Sequence, residues 1–229
     1  MSLQTNNPFA TLRGFARARA IVERCELCSA ELRRQHPHLV EPASRKLLCS
    51  CESCAILFDS QKGKYKRVPS RSRFLPNFHL TDAQWEALMI PINMAFFFYS
   101  TPAGKVIALY PSPAGPMESL LTLESWSELA QHNPILKEMD ADVEALLVNR
   151  VSRVREGAAA EYYLAPIDEC YKLTGLIRAS WRGLSGGAEV WEEIRSFFAE
   201  LKRRSTVVAG THASGVLSED LHAGSVDAR

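Results

Sequence analysis

The sequence predicts an α+β fold in which a small cysteine-rich N-terminal module packs on a larger mixed domain. Five of the six cysteines fall between residues 25 and 54. Beyond them, short apolar runs typical of strands are interspersed with stretches of helical periodicity. Charge divides the chain in the same way: residues 1–80 carry fourteen Lys and Arg against six Asp and Glu, and residues 81–229 carry thirteen against twenty. We therefore expect a basic module joined to a mildly acidic body.

The overall composition is that of a globular protein without a membrane span. The chain has 229 residues, of which 46% are hydrophobic and 23% charged, both ordinary values. Its longest apolar run, MAFFFYS at 94–100, has the length of a strand. The first twenty residues lack the continuous apolar stretch of a signal peptide, so a cytoplasmic protein is expected. In that compartment, paired cysteines are more often metal ligands or redox centres than structural disulfides.

Composition also predicts where the segments and domains of the chain begin and end. They are an amphipathic helix over 1–20, a cysteine module over 21–61, a basic connector over 62–80, an α+β domain over 81–204 and a disordered tail over 205–229. The connector contains the run KGKYKRVPSRSRF, and the tail is rich in Ser, Gly and Ala without periodicity. Because the halves carry opposite charge, we expect the module to dock on the body, with the connector lying along it.

The first half of the body is predicted to contain a helix and a hairpin. Thr81 or Asp82 can cap a helix over the run TDAQWEALM. Two strand-like runs, 92–100 and 105–110, flank a turn of sequence TPAG, which predicts a hairpin. Since AFFF in the first run is apolar on both faces, we expect it to form a central strand.

The second half of the body alternates between helix and strand. Residues 121–133 predict a helix, the short apolar run at 143–150 fits either strand or helix, and 161–167 predicts a strand. Asp168 is expected to cap the next helix. After a glycine-rich break, a closing helix is predicted to bury five residues at helical spacing, namely Val190, Ile194, Phe197, Phe198 and Leu201.

The two CxxC pairs predict a metal centre. Structural zinc prefers four tetrahedral thiolate or imidazole ligands, and a CxxC turn points both of its sulfur atoms at one centre. The predicted zinc ligands are Cys25, Cys28, Cys51 and Cys54. Iron in a four-thiolate site would use the same ligands. Four thiolates close the coordination sphere, so a structural role is expected and no catalytic residue is assigned.

The fifth cysteine and two histidines leave the ligand set open. Cys49 could replace one member of the second pair, but the run ESCAILF favours a helix whose N-terminal turn carries Cys51 and Cys54, where thiolate charge is stabilised. Cys49 is then a spare thiol near the centre. His36 and His38 flank a proline and are expected to be loop residues, although either is an alternative ligand.

Two further regions carry alternative hypotheses. The basic and aromatic residues of the connector could contact nucleic acid, with Lys and Arg on phosphates. A polar pocket between Asp168 and Trp181, with Glu169, Tyr171 and Arg178, would suit an enzyme. Capping and surface roles explain these pocket residues equally well.

Several sequence blocks together resemble a known family. The first is the cysteine-rich segment 25–54 together with the run AILF that follows it. The others are LTDAQW, IPINMAFFFYST, LYPSPAG, ALLVNR, PIDECYKLTGLIRASWRGLSGG and EVWEEIRSFF. Over about residues 20–203 the chain resembles an uncharacterised bacterial domain family, whose genes often lie beside those of nickel–iron uptake hydrogenases. The resemblance implies an accessory or assembly role with hydrogenase subunits as partners, and it supplies no catalytic residues.

The expected function is therefore that of a metal-binding accessory protein that contacts another protein. The alternative is a nucleic-acid-binding regulator that uses the basic N-terminal third of the chain.

Overall fold

The computed structural model describes residues 22–59, 63–119, 123–151, 157, 159–183 and 185–208. The predicted helix over 1–20 and most of the predicted tail lie outside these residues. Within the described part of the chain, none of the helices combines the length and apolar character that crossing a membrane requires.

The N-terminal module is a small antiparallel sheet followed by one helix. Its elements are β1 (His38–Glu41), β2 (Lys46–Cys49), α1 (Glu52–Asp59) and β3 (Lys66–Arg67). The strands lie in the order β2-β1-β3. A turn with Arg45 in the left-handed region (φ 58°) connects β1 to β2 and sets a register that places His38 opposite Cys49. Leu39 and Val40 of the central strand are buried.

A seven-stranded sheet forms the body, in the order β10-β4-β9-β8-β5-β6-β7. Its strands are β4 (Arg73–Phe74), β5 (Met94–Ser100), β6 (Lys105–Ser112), β7 (Gly115–Glu118), β8 (Glu144–Asn149), β9 (Glu161–Pro166) and β10 (Thr206–Val207). All neighbours are antiparallel except β10 and β4. The predicted hairpin is β5 and β6, and the ambiguous run at 143–150 forms strand β8.

Helices cover both faces of this sheet. They are α2 (Asp82–Ala87), α3 (Leu123–His132), a 3-10 turn (Pro134–Glu138), α4 (Ile167–Ser180) and α5 (Gly187–Arg204). Phe96 and Phe98 of β5 pack in one core with α4 and α5, whereas Phe97 packs in a second core with Trp85 of α2 and Leu129 of α3. The doubly apolar run AFFF is therefore explained by a central strand buried on both sides. The predicted α+β class is confirmed.

The helix ends agree with the sequence in one case and differ in another. Thr81 is the N-cap of α2, where it forms a capping box with Gln84. In contrast, α4 begins at Ile167 with Pro166 in the N-cap position, so the predicted cap at Asp168 is wrong. The Asp168 carboxylate instead receives a hydrogen bond from His38 of the N-terminal module. At the C-terminus, Thr206 and Val207 form β10 inside the tail that was predicted from Ser205.

The basic connector contributes one strand to each sheet. Strand β3 extends the small sheet and β4 enters the large one. Lys66 Nζ lies 2.6 Å from Asp142 Oδ2. Arg73 Nη2 lies 3.3 Å from Glu144 Oε2, and that glutamate side chain is fully buried. The connector therefore lies along the body, where Lys66 and Arg73 contact carboxylates at the start of β8 and in the turn before it.

The Arg73–Glu144 contact predicts a large effect of losing one partner. Arg73→Ala should lower the free energy of unfolding by about 3–5 kcal/mol, because it leaves a buried carboxylate without its guanidinium. The matched control is Arg71→Ala: this guanidinium is 64% exposed and lies 4.0 Å from the same glutamate, so its loss should cost about 1 kcal/mol or less. Urea denaturation measures both changes. Equal costs for the two variants would contradict this account of the docking.

Candidate metal centre

Two local turns bring the four predicted ligands together. The first turn, which we call the first knuckle, contains Cys25 and Cys28. The backbone N–H of Cys25 donates to Ala30 O at 2.8 Å, and the backbone N–H of Ser29 donates to Cys25 O at 2.8 Å. Ser29 adopts a left-handed conformation (φ 62°) that closes the turn. The second pair lies at the start of α1, with Cys51 just before the helix and Cys54 in its first turn. A hydrogen bond of 2.9 Å from Glu26 N to Cys49 O joins the first knuckle to the end of β2.

The four sulfur atoms converge on one point. All four Sγ atoms lie within 4.8 Å of one another. The Sγ atoms of Cys28 and Cys51 are 3.7 Å apart. A tetrahedral ion with metal–sulfur bonds of about 2.3 Å separates its sulfur ligands by about 3.8 Å. The four-cysteine group could therefore hold a metal ion, and its donor set suits zinc and iron alike.

The electrostatics of the group also favour a cation. Burial raises the pKa of Cys25, but hydrogen bonds from the backbone of Cys51, Cys28 and Leu27 outweigh it and lower this pKa to about 6. Burial, together with the neighbouring thiols, raises the pKa of Cys54. Four thiolates at these distances repel one another, so a divalent cation must bind for all four to lose their protons.

The remaining sulfur and imidazole candidates form a separate group. One ring nitrogen each of His36 and His38 and the Sγ of Cys49 lie within 4.8 Å of one another. Cys49 therefore lies outside the four-cysteine group and beside the two histidines. His36 precedes β1 as expected of a loop residue, whereas His38 is the first residue of β1, so its prediction as a loop residue is wrong. A sequence signal for this was present: pairing HLVE with KLLC as a hairpin puts His38 opposite Cys49.

The predicted pocket between Asp168 and Trp181 is divided between the two ends of α4. Asp168 lines a cavity of about 680 Å³ together with His36 and His38. Trp181 lines a different, apolar cavity of about 470 Å³ with Trp191. The helix has 14 residues and is about 21 Å long, which separates the two ends. Asp168 and Trp181 therefore do not form one polar site.

Most of the chain matches a known protein family. The family of unknown function DUF5947 matches residues 24–205. The chain belongs to this family. No curated protein and no solved structure matches the chain. The match confirms the predicted resemblance to a family of unknown function, and its residues nearly coincide with the predicted range 20–203. It includes all four clustered cysteines.

The geometry predicts how this DUF5947 chain responds to loss of one thiolate. Cys54→Ser should remove one equivalent of bound metal and destabilise residues 22–59, because metal binding and folding are coupled in such modules. Cys170→Ala is the control: this thiol belongs to α4, is fully buried in the core and lies outside the four-cysteine group, so the metal content should stay unchanged. Elemental analysis and limited proteolysis measure the two effects. Full metal content in folded Cys54→Ser protein would exclude Cys54 as a ligand.

Proposed function

We propose that this chain is a metal-binding accessory protein, in which the four-cysteine centre has a structural role and the partner is another protein. The observation that carries the proposal is the convergence of four cysteine sulfurs within 4.8 Å. A complete set of four thiolates leaves no coordination position for water or substrate. An ion at this centre would therefore shape the module rather than react.

The module presents an apolar surface that suits a protein contact. Helix α1 buries Cys54 and Ala55, while Ile56 and Leu57 on its other side are 61% and 57% exposed. Exposing adjacent aliphatic side chains to water is unfavourable, and a contiguous apolar surface can mark a site of protein interaction. The metal would hold this helix, and with it the exposed pair, in place.

The contacts of the connector argue against the nucleic-acid alternative. Arg67 Nη2 donates to Glu52 Oε1 at 2.7 Å, and Lys66 and Arg73 contact carboxylates of the body. Cations that contact carboxylates within the chain have to give up these partners before they can bind phosphate. Three cations of the described part of the connector are thus paired with carboxylates of the chain itself, which favours a protein partner.

We further propose a nickel–iron hydrogenase as that partner. The support is the sequence resemblance described above, to a family encoded beside hydrogenase genes. An accessory role in assembly or electron transfer would require recognition of a hydrogenase subunit, and the exposed α1 pair offers one such surface.

Co-expression with both subunits of a nickel–iron hydrogenase tests the partner. The tagged chain should retain the subunits through purification, and Ile56→Asp with Leu57→Asp should abolish retention by charging the apolar surface. Met89→Asp is the matched control, since Met89 is 72% exposed but lies in the body, and it should retain the subunits. Failure of the wild-type chain to retain any hydrogenase subunit would overturn this partner.

A gel-shift titration at physiological salt tests the alternative. We expect no binding to random duplex or single-stranded nucleic acid, because the connector cations contact internal carboxylates. A clear shift that is lost in the Lys64→Ala, Arg71→Ala double variant would favour the regulator instead. Both side chains are exposed, so this variant should keep its fold.

A further inference from the structure

A second cluster of metal-binding side chains lies at the end of the small sheet. It consists of His36, His38 and Cys49, whose ligand atoms lie within 4.8 Å of one another. The register of β1 and β2 places His38 directly opposite Cys49. His36 precedes β1, and the two imidazole rings meet edge to face with their centroids 4.8 Å apart. The fold thus places two imidazoles and one thiol in a single cluster.

Both imidazoles are held by hydrogen bonds at Nδ1. The Nδ1 of His36 lies 3.0 Å from Arg33 O, and the Nδ1 of His38 lies 2.8 Å from Asp168 Oδ2. A carbonyl or carboxylate oxygen can only accept, so Nδ1–H donates in each case, and Nε2 is the nitrogen that a neutral imidazole offers to a metal. Metal-binding histidines are typically oriented in this way, by a carbonyl or a carboxylate on the other ring nitrogen.

The Nε2 of His36 lacks a hydrogen-bond partner within the part of the chain that the structure describes, which supports a ligand at the cluster. The His36 side chain is only 8% exposed. Its Nε2 is buried and has no hydrogen-bond partner among the described residues. A buried polar atom without a partner costs about 1–3 kcal/mol, so such atoms are rare unless something binds there. A metal ion would satisfy this lone pair.

We propose that His36, His38 and Cys49 form a second metal site, for a late first-row divalent cation with one open coordination position. Two imidazoles and a thiolate suit zinc, cobalt, nickel or copper. They do not suit calcium or magnesium, which prefer oxygen ligands. The site goes beyond the proposed structural centre because it supplies three protein ligands rather than four. Binding converts the Cys49 thiol to a metal-bound thiolate and releases its proton to solvent.

The surroundings of the cluster give the fourth position access to solvent. Both histidines and Asp168 border the open cavity of about 680 Å³, and Arg67 and Arg71 form part of its wall. An exchangeable ligand can therefore reach an ion held by the histidines. The wall also carries the carboxylates of Glu52 and Asp59, so its charges are mixed, and the ligand that we expect at the fourth position is water. Three protein ligands with an accessible fourth position are typical of reactive rather than purely structural zinc sites.

Metal stoichiometry tests the site in the full chain. Reduced protein titrated with Zn²⁺ should bind two ions, and a mild chelator should remove one of them without a change in circular dichroism. His36→Ala with His38→Ala should bind one ion. The control is His79→Ala with His132→Ala, a second pair of histidines whose ring centroids are 6.0 Å apart, and it should still bind two. One ion in the wild type, or two in the His36/His38 variant, would overturn the proposal.

Two further measurements keep the test independent of folding. Asp168→Ala leaves all three ligands in place and should weaken binding of the second ion by about 10–100-fold, as expected for a residue that positions a ligand. In protein loaded with Co²⁺, azide should shift the visible absorption of the ion at the histidine site. No shift in wild-type protein that holds two Co²⁺ ions would exclude the open position. The ion that the His36→Ala, His38→Ala variant keeps reports on the four-cysteine centre, and loss of the azide response in the same variant reports on the histidine site, so failure of one site is distinguished from failure of the other.

Discussion

The four cysteine sulfurs of the N-terminal module lie within 4.8 Å of one another, and thiolates so close together need a cation between them. The module's two CxxC segments are separated by the β1–β2 hairpin, and its buried apolar side chains are few, namely Leu39, Val40, Leu48, Ala55 and Val68. A unit of this size buries too little apolar surface to fold by that means alone, and such units usually need a metal, disulfides or a partner. A cation at the four-cysteine centre would tie the first knuckle to the start of α1 and replace the missing core.

The module also gains stability from the body on which it docks. Val40 and Val68 belong to the same buried core as α4 and α5, so the small sheet packs directly on the body through these side chains. The connector reinforces this by adding a strand to each sheet. Its ion pairs matter because one partner of each, Asp142 or Glu144, is buried, and a buried charge without its partner is costly. The position of the metal centre relative to the body is therefore set by packing, hydrogen bonding and charge together.

This docking places two chemically different ligand sets close to each other. One set contains four thiolates and is closed, which suits a structural ion. The other contains His36, His38 and Cys49, and its anchor, Asp168, comes from α4 of the body. All three of these ligands lie in the module, and docking adds the hydrogen bond from His38 to Asp168 that orients one of them. Separation of the module from α4 would break the hydrogen bond that positions His38, whereas the four-cysteine centre lies wholly within the module.

The sequence alone determined the features that depend on local spacing. The CxxC pairs were recognisable because a knuckle is formed by four consecutive residues, and α5 was recognisable because its apolar residues recur at helical spacing over eighteen residues. Only the tertiary structure could decide the rest. Strands β3 and β4 have two residues each, too few to show any periodicity, and the bond between His38 and Asp168 joins residues 130 positions apart. The histidine cluster depends on strand register and on helix docking, and these are set by the burial of many side chains at once rather than by any short pattern.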